Sequence, residues 1–198
     1  MLYDVSLPPV DGAPGVCQPR LLVEPGLGEA ALVDPPAHLE ASWLASLDQL
    51  LAAHTARLCW VLLTECPSDP RTLATLLDRH ITARLGVGRL TMRTHHKQLP
   101  NAGCYSNRLR LFDEHERVQL GTAFGRVRHL SDGVAIRTAF LFDRMAVCTT
   151  GGTPVLTPVV DDPLEPLLLA VTEPGVTELG MTGRARPRVG SVVAEQIA

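Results

Sequence analysis

The stretch SNRLRLFDEHERVQLGTAFGRVRHLSDGVAIRTAFLFDRMAVCTT, Ser106 to Thr150, decides how the chain is read. Leu109 and Leu111, then Val118, Leu120 and Ala123, alternate with Arg108, Arg110, Gln119 and Thr122. A period of two puts apolar side chains on one face of a strand and cations on the other. Asp113-Glu114-His115-Glu116 reads as a tight polar turn, so the two runs form a hairpin. Ser131-Asp132-Gly133 is a second turn, and Val134, Ile136, Thr138, Phe140 and Phe142 alternate away from it. An amphipathic helix over 134–148 fits the same letters, but Thr, Phe, Val and Ile favour a pleated sheet. Asp143-Arg144 then turns the chain into MAVCTT.

Upstream, the period changes. Trp43, Leu44, Leu47, Leu50, Leu51 and His54 fall on one stripe with Asp48 and Gln49 opposite, which predicts an amphipathic helix within 37–57. LCWVLLT, 58–64, either extends that helix or begins a buried strand. CPSDPR, 66–71, is a turn, with Ser68 or Asp69 able to cap the next helix. Leu73, Leu76, Leu77, His80, Ile81 and Leu85 form the apolar face of that second helix, over 70–85, which Gly86 and Gly88 stop. Leu90, Met92 and Thr94 alternate with polar residues and predict a strand within 89–99. The order of elements gives an α+β fold, an antiparallel meander sheet with helices packed on one face.

The ends read differently. Residues 1–36 carry seven prolines and four glycines and form a loop-like N-terminal arm, with QPRLLVEP as one short edge strand. Residues 37–174 make a single domain, and 175–198 a C-terminal tail. Leu164 to Val171 has the length of a short helix. The N-terminus lacks the pattern of a signal peptide. No apolar run approaches the roughly 20 residues that span a bilayer. A cytoplasmic protein, without membrane partners, is the expectation.

Charge is uneven. The chain carries a net −3, yet Arg71 to Leu130 holds eleven cationic and four acidic side chains, +7, leaving −10 to the rest. Five of the seven histidines lie in the same span. A basic middle in an acidic protein suits a small anionic ligand, a carboxylate above all, and not a nucleic acid, which asks for a basic domain overall. Lys97 is the sole lysine. GC-rich coding explains the preference for arginine as readily as selection for anions does.

Reaction chemistry has no signature. The five cysteines, at 17, 59, 66, 104 and 148, include no C-x₂-C pair, and they read as free buried thiols. His95 and His96 are adjacent, so on a strand they point to opposite faces and do not converge on a metal. No G-x-S-x-G elbow is present, and Cys104 has no local motif around it. GLGEA at 26–30 lacks the spacing of a dinucleotide loop. The arginines remain. Arg108 and Arg110 share one strand face, as do Arg126 and Arg128 on a partner strand. Paired guanidinium forks suit carboxylates; the same pattern also makes a solvated outer face.

Arg108 in NRLRLFDEHE, Leu120-Gly121 in VQLGTAFG, Val127 to Ser131 (VRHLS) and the upstream LLTECPSDPRTLATLL together resemble the chorismate pyruvate-lyase family and its relatives, the UTRA-type effector domains. The likeness covers roughly residues 60–150. It implies an antiparallel sheet with helices on it and an enclosed pocket for an aromatic acid. It implies elimination of pyruvate from chorismate to leave 4-hydroxybenzoate, with no cofactor. Carried onto this chain, Arg108, Arg110, Arg126 and Arg128 would line the substrate pocket, and the backbone at Gly121 would approach the ligand. The family ends its last strand in Thr-Glu, where this chain has Thr149-Thr150, so no catalytic residue is assigned; Glu165 and Glu173 are the nearest acids further along. The alternatives are a non-catalytic small-molecule binding domain on the same scaffold, and a structural or partner-binding protein.

Overall fold

Two sheets take up the chain in succession. The computed structural model describes residues 2–7, 19–65, 70–94, 107–131, 136–142, 145–147 and 157–158. The first sheet runs, in order, β1 (Tyr3–Ser6), β2 (Arg20–Glu24), β3 (Glu29–Val33), β4 (Arg57–Leu63), β5 (Arg84–Gly88) and β6 (Leu109–Phe112). β1, β2 and β3 pair antiparallel; β3 with β4, β4 with β5 and β5 with β6 pair parallel. Each parallel step is bridged by a helix: α1 (Ala41–Ala53), α2 (Pro70–Arg79) and α3 (Arg89–Thr94).

The strands are short apolar runs because both faces of this sheet are covered. Leu21, Val23, Leu32, Val61, Leu63 and Val87 pack with Trp43, Leu47 and Leu51 of α1 and Leu73, Leu76 and Leu77 of α2. The alternate residues Leu22, Ala31, Val33, Leu62 and Phe112 face the other way, onto Val118, Leu120, Val127, Phe140 and Phe142. Those belong to the second sheet: β7 (Arg117–Leu120), β8 (Ala123–Ser131), β9 (Ile136–Phe142), β10 (Met145–Val147) and β11 (Thr157–Pro158). It is antiparallel, in the order β10-β9-β8-β11, with β7 also on β8. The α+β class therefore stands, with helices on one face of the first sheet and the second sheet on the other.

Several local expectations change. The strand expected in QPRLLVEP is present as β2, but between β1 and β3 and not at an edge, and EAALV, expected to be loop, is β3. Their prolines and glycines sit where the strands end: Pro25, Gly26 and Gly28 in the turn, Pro35 and Pro36 after Val33. LCWVLL is strand, and so is 136–142. The second helix ends at Arg79, and Ile81 stands 78% exposed instead of on an apolar face. Residues 89–94 are helix, not strand. Neither neighbour of β5 continues beyond the pairs Leu63–Val87 and Phe112–Gly88, so a strand there would have no ladder to join.

The largest correction concerns Asp113 to Glu116. These residues do not close a hairpin. They carry the chain from one sheet to the other, since β6 pairs β5 and β7 pairs β8. Leu109 and Leu111 pack toward the helices, whereas Val118 and Leu120 fill the space between the sheets. Among the described residues no helix is long and apolar enough to cross a membrane.

Candidate functional site: a cavity between the sheets

A cavity of about 420 Å³ opens where the parallel strands begin. That volume falls within the usual size of small-molecule sites, roughly 300–1,000 Å³. Glu29, Arg57 and Arg84 contribute the first residue of β3, β4 and β5, and Trp60, Gly121 and Leu27 complete much of the wall. On β5, Leu85 and Val87 point to the helices, so Arg84 and Gly86 face the second sheet. On β6, Phe112 faces the second sheet, and Arg110 shares that face. Gly86 pairs with Arg110, which puts Arg84 and Arg110 diagonally on adjacent strands. A Cβ on Gly86 would meet Leu62 Cδ2 and Phe112 Cε2 at 2.8 Å, so the floor between the arginines has no room for a side chain.

Two carboxylates hold the wall. Glu29 accepts from Arg57 at 2.9 Å and from the Gly121 N–H at 2.7 Å. Glu24, almost fully buried, accepts from the N–H groups of Leu27 (2.9 Å) and Gly26 (3.1 Å) and from Thr122 Oγ1 (2.9 Å). The Arg57 hydrogen bond holds Glu29 below the usual carboxylate range, and the Leu27 N–H does the same for Glu24. Trp60 is oriented by its Nε1–H, which donates to the Gln119 carbonyl at 2.8 Å, and by the Phe112 ring 5.7 Å away. Burial pushes the Cys59 thiol up and the nearby Glu29 charge adds to it, which disfavours the thiolate. The Arg84 guanidinium is exposed and has no hydrogen-bond or ion-pair partner among the described residues.

A second polar group lies at the opposite end, where the parallel strands finish. Asp34 accepts from the Thr64 N–H (2.7 Å) and hydroxyl (2.6 Å), and the Thr64 carbonyl accepts from the Thr138 N–H at 2.7 Å. Thr138 Oγ1 accepts from the Gly88 N–H at 3.0 Å and lies 2.8 Å from Thr91 Oγ1. Glu114 forms an ion pair with buried Arg128 at 2.7 Å and accepts the His129 N–H at 2.6 Å. These contacts tie the sheets together. Burial holds the His129 imidazole below its ordinary value, against the pull of Glu114.

Of the five residues singled out from sequence, Gly121 lines the cavity. Arg108 donates to the Leu77 carbonyl at 2.7 Å, at the end of α2, with Asp78 at 3.8 Å. Arg110 pairs with Glu116 and lies 5.7 Å from the Phe112 ring centroid. Arg126 is exposed on the second sheet, opposite Arg117. Arg128 is committed to Glu114. The four arginines thus divide between two sheets and do not line one strand face as a hairpin would. His95, His96, Cys104 and Thr149-Thr150 lie outside the described residues, as do Cys17, Cys66, Cys148, Glu165 and Glu173. Arg57, Arg84, Glu29 and Trp60 went unread, although one signal points to three of them: a single charged residue directly before an apolar run, in EAALV, RLCWVLL and RLGVG.

No family model and no curated protein sequence matches the chain. Solved structures similar to it include ETHE1 from Myxococcus xanthus, at 15% identity and a TM-score of 0.49, over 74% of this chain and 55% of that one. A metallo-β-lactamase from Staphylococcus aureus gives 15% identity and a TM-score of 0.48, over 65% of this chain and 34% of that one. An archaeal metallo-β-lactamase superfamily protein from Sulfolobus tokodaii gives 15% and 0.45, over 79% and 70%. This chain thus spans about half or less of the length of the first two. The resemblance to chorismate pyruvate-lyases and UTRA-type domains is overturned: β3 to β6 pair parallel, and the described residues of 106–150 are split between two sheets and do not form one antiparallel meander. Pyruvate elimination, chorismate and 4-hydroxybenzoate go with it. Among the described residues no three His, Cys, Asp or Glu side chains are placed to hold a metal ion.

Proposed function

We propose that the chain binds a small anionic ligand in the cavity between its sheets, with Arg84 as the receiving cation. The observation that carries this reading is the state of Arg84. Its guanidinium stands at the cavity without a partner among the described residues, while Arg57 is held by Glu29 and Arg110 by Glu116. Trp60 offers an apolar wall beside it, and the Gly121 turn closes the other side. A carboxylate or phosphate would gain a charge-assisted hydrogen bond there that solvent alone now supplies.

Trp60 reports on the site directly. Acetate and inorganic phosphate are titrated into a Trp43→Phe background while Trp60 emission is followed. Saturable quenching is the expected result. Arg84→Ala is expected to weaken it by about tenfold or more, the loss of a hydrogen bond to a charged group. Equal affinity in the variant overturns the assignment.

A further inference from the structure

The cavity holds a carboxylate as well as the Arg84 guanidinium, and the register of the strands fixes where the two stand. Trp60 on β4 pairs with Ala31 on one side and with Arg84 on the other. Glu29 lies two residues before Ala31 and shares its face, toward the second sheet, where the Gly121 N–H meets it. Trp60 shares that face with Leu62. Glu29, Trp60 and Arg84 thus stand on three successive strands and all line the cavity, with the indole between the two charges. Two strand spacings and two residues of rise put the backbones of Glu29 and Arg84 about 12 Å apart. Their side chains shorten that gap to the length of a small molecule.

Charge in the cavity is nearly balanced before any ligand arrives. Among the described residues its wall carries two guanidiniums, Arg57 and Arg84, and one carboxylate, Glu29, a net of +1. The Cys59 thiol stays neutral, because burial and the Glu29 charge disfavour the thiolate. One negative charge on a ligand completes the balance, and a second meets Glu29. Arg57 does not cancel that repulsion: its side chain is 65% exposed to water, against 19% for Glu29. Glu29 also keeps room for a donor. Its Oε1 accepts from Arg57 and its Oε2 from the Gly121 N–H, whereas an ionised carboxylate has about four acceptor sites.

We infer that Glu29 sets the specificity of this cavity and that its ligand is an aliphatic hydroxy acid, with a carboxylate at Arg84, a short apolar chain over Trp60 and a hydroxyl that donates to Glu29. The inference rests on the cavity reading above and narrows it. A dicarboxylate of the same length sets its second charge against Glu29, and repulsion of an unwanted ligand discriminates as well as attraction of the right one. An ammonium in place of the hydroxyl meets Arg57 beside Glu29 and has to give up the hydration of a second charge. A plain fatty acid leaves the open acceptor sites of Glu29 to water.

The probes are 6-hydroxyhexanoate, hexanoate, adipate and 6-aminohexanoate, titrated calorimetrically into the unaltered chain at neutral pH and one ionic strength. The hydroxy acid is expected to bind about tenfold more tightly than hexanoate, the gain from a hydrogen bond to a charged group. Adipate is expected to bind more weakly than hexanoate despite its extra charge, and 6-aminohexanoate more weakly than the hydroxy acid. Glu29→Gln keeps the shape and removes the charge, so it is expected to raise adipate to the level of hexanoate and to reduce the preference for the hydroxyl. The series on the unaltered chain stands even where that variant fails to fold. If Arg84→Ala weakens hexanoate but adipate binds as tightly as hexanoate, or the hydroxyl adds nothing, the inference about Glu29 falls and the cavity reading survives. Preferences that persist unchanged in Glu29→Gln overturn it as well. Tightest binding by 6-aminohexanoate overturns the hydroxy acid in favour of a zwitterion. If hexanoate is indifferent to Arg84→Ala, both readings fall.

Discussion

Gly121 and Glu24 approach so closely that a Cβ on the glycine would lie 2.1 Å from Glu24 Oε2. Gly121 also has φ +59°, in the left-handed region that glycine adopts without strain. The glycine is what lets the turn after β7 sit on the carboxylates of Glu24 and Glu29, and this contact fixes one wall of the cavity.

Gly121→Ala is therefore expected to destabilise the fold. The left-handed backbone alone costs a non-glycine residue about 1–2 kcal/mol. Displacing Glu24, which is held by three donors, adds to that. Urea unfolding measures the sum. A change within about 0.5 kcal/mol, the range of an ordinary surface substitution, would show that the contact does not constrain the turn.

At the other end, the Asp34–Thr64 pair is expected to matter through its hydroxyl. Thr64 is fully buried, and its Oγ1 donates to Asp34 Oδ2 at 2.6 Å. Thr64→Val keeps the shape and removes the donor, which is expected to cost about 1–3 kcal/mol, the range for a buried hydrogen bond to a charged group. Thr64→Ser restores the donor and is expected to recover much of that loss. Equal stability of the Val and Ser variants would contradict the account.

How legible all this was differs from element to element. The stripe Trp43, Leu44, Leu47, Leu51 announced α1, and Leu73, Leu76, Leu77 announced α2, because helical spacing is a local property. Phe140, Thr138 and Ile136 announced β9 in the same way. β2 showed itself as a strand within QPRLLVEP, but not its place between β1 and β3; β3 was hidden by its own brevity, since EAALV is five residues long and the prolines and glycines around it read as an irregular arm. Whether Asp113 to Glu116 closes a hairpin or crosses between sheets is not a local property at all. The alternation of Leu109, Leu111, Val118 and Leu120 is the same in both cases, and only the surface each pair covers decides. The cavity is less legible still. Glu29 and Gly121 are 92 residues apart in sequence, and no motif announces that they will meet.

Stability should also fall in mild acid. The imidazoles of His129 and His80 are both held below 6.5, their ordinary value, chiefly by burial. The unfolded chain takes up these protons near pH 6.5 while the folded chain resists, so stability is full above that pH and declines below it, toward the folded values. Glu24 and Glu29 act in a separate window: their depressed pKa values give stability above about 4.5 that is lost as pH falls through the folded values. Urea midpoints at several pH values between 5 and 8 isolate the histidines. His129→Gln is expected to flatten the slope in part, because His80 remains. A slope identical to that of the parent would remove His129 from the explanation.

Arg108 offers the sharpest separation of structure from binding. Its guanidinium donates to the Leu77 carbonyl at the end of α2, where a cation also meets the negative end of the helix. The companion pair with Asp78 is long, at 3.8 Å, and Asp78 is 83% exposed, so it adds little. Arg108→Ala is expected to cost about 1 kcal/mol of stability through the lost carbonyl bond. Arg108 adjoins Arg84 across the β5–β6 ladder, but its guanidinium is turned to the Leu77 carbonyl and does not line the cavity, so phosphate binding at Arg84, followed through Trp60, is expected to fall much less than in Arg84→Ala. The opposite pattern, unchanged stability with a tenfold loss of phosphate affinity, would return Arg108 to the ligand and move the site from the start of β5 to the end of α2.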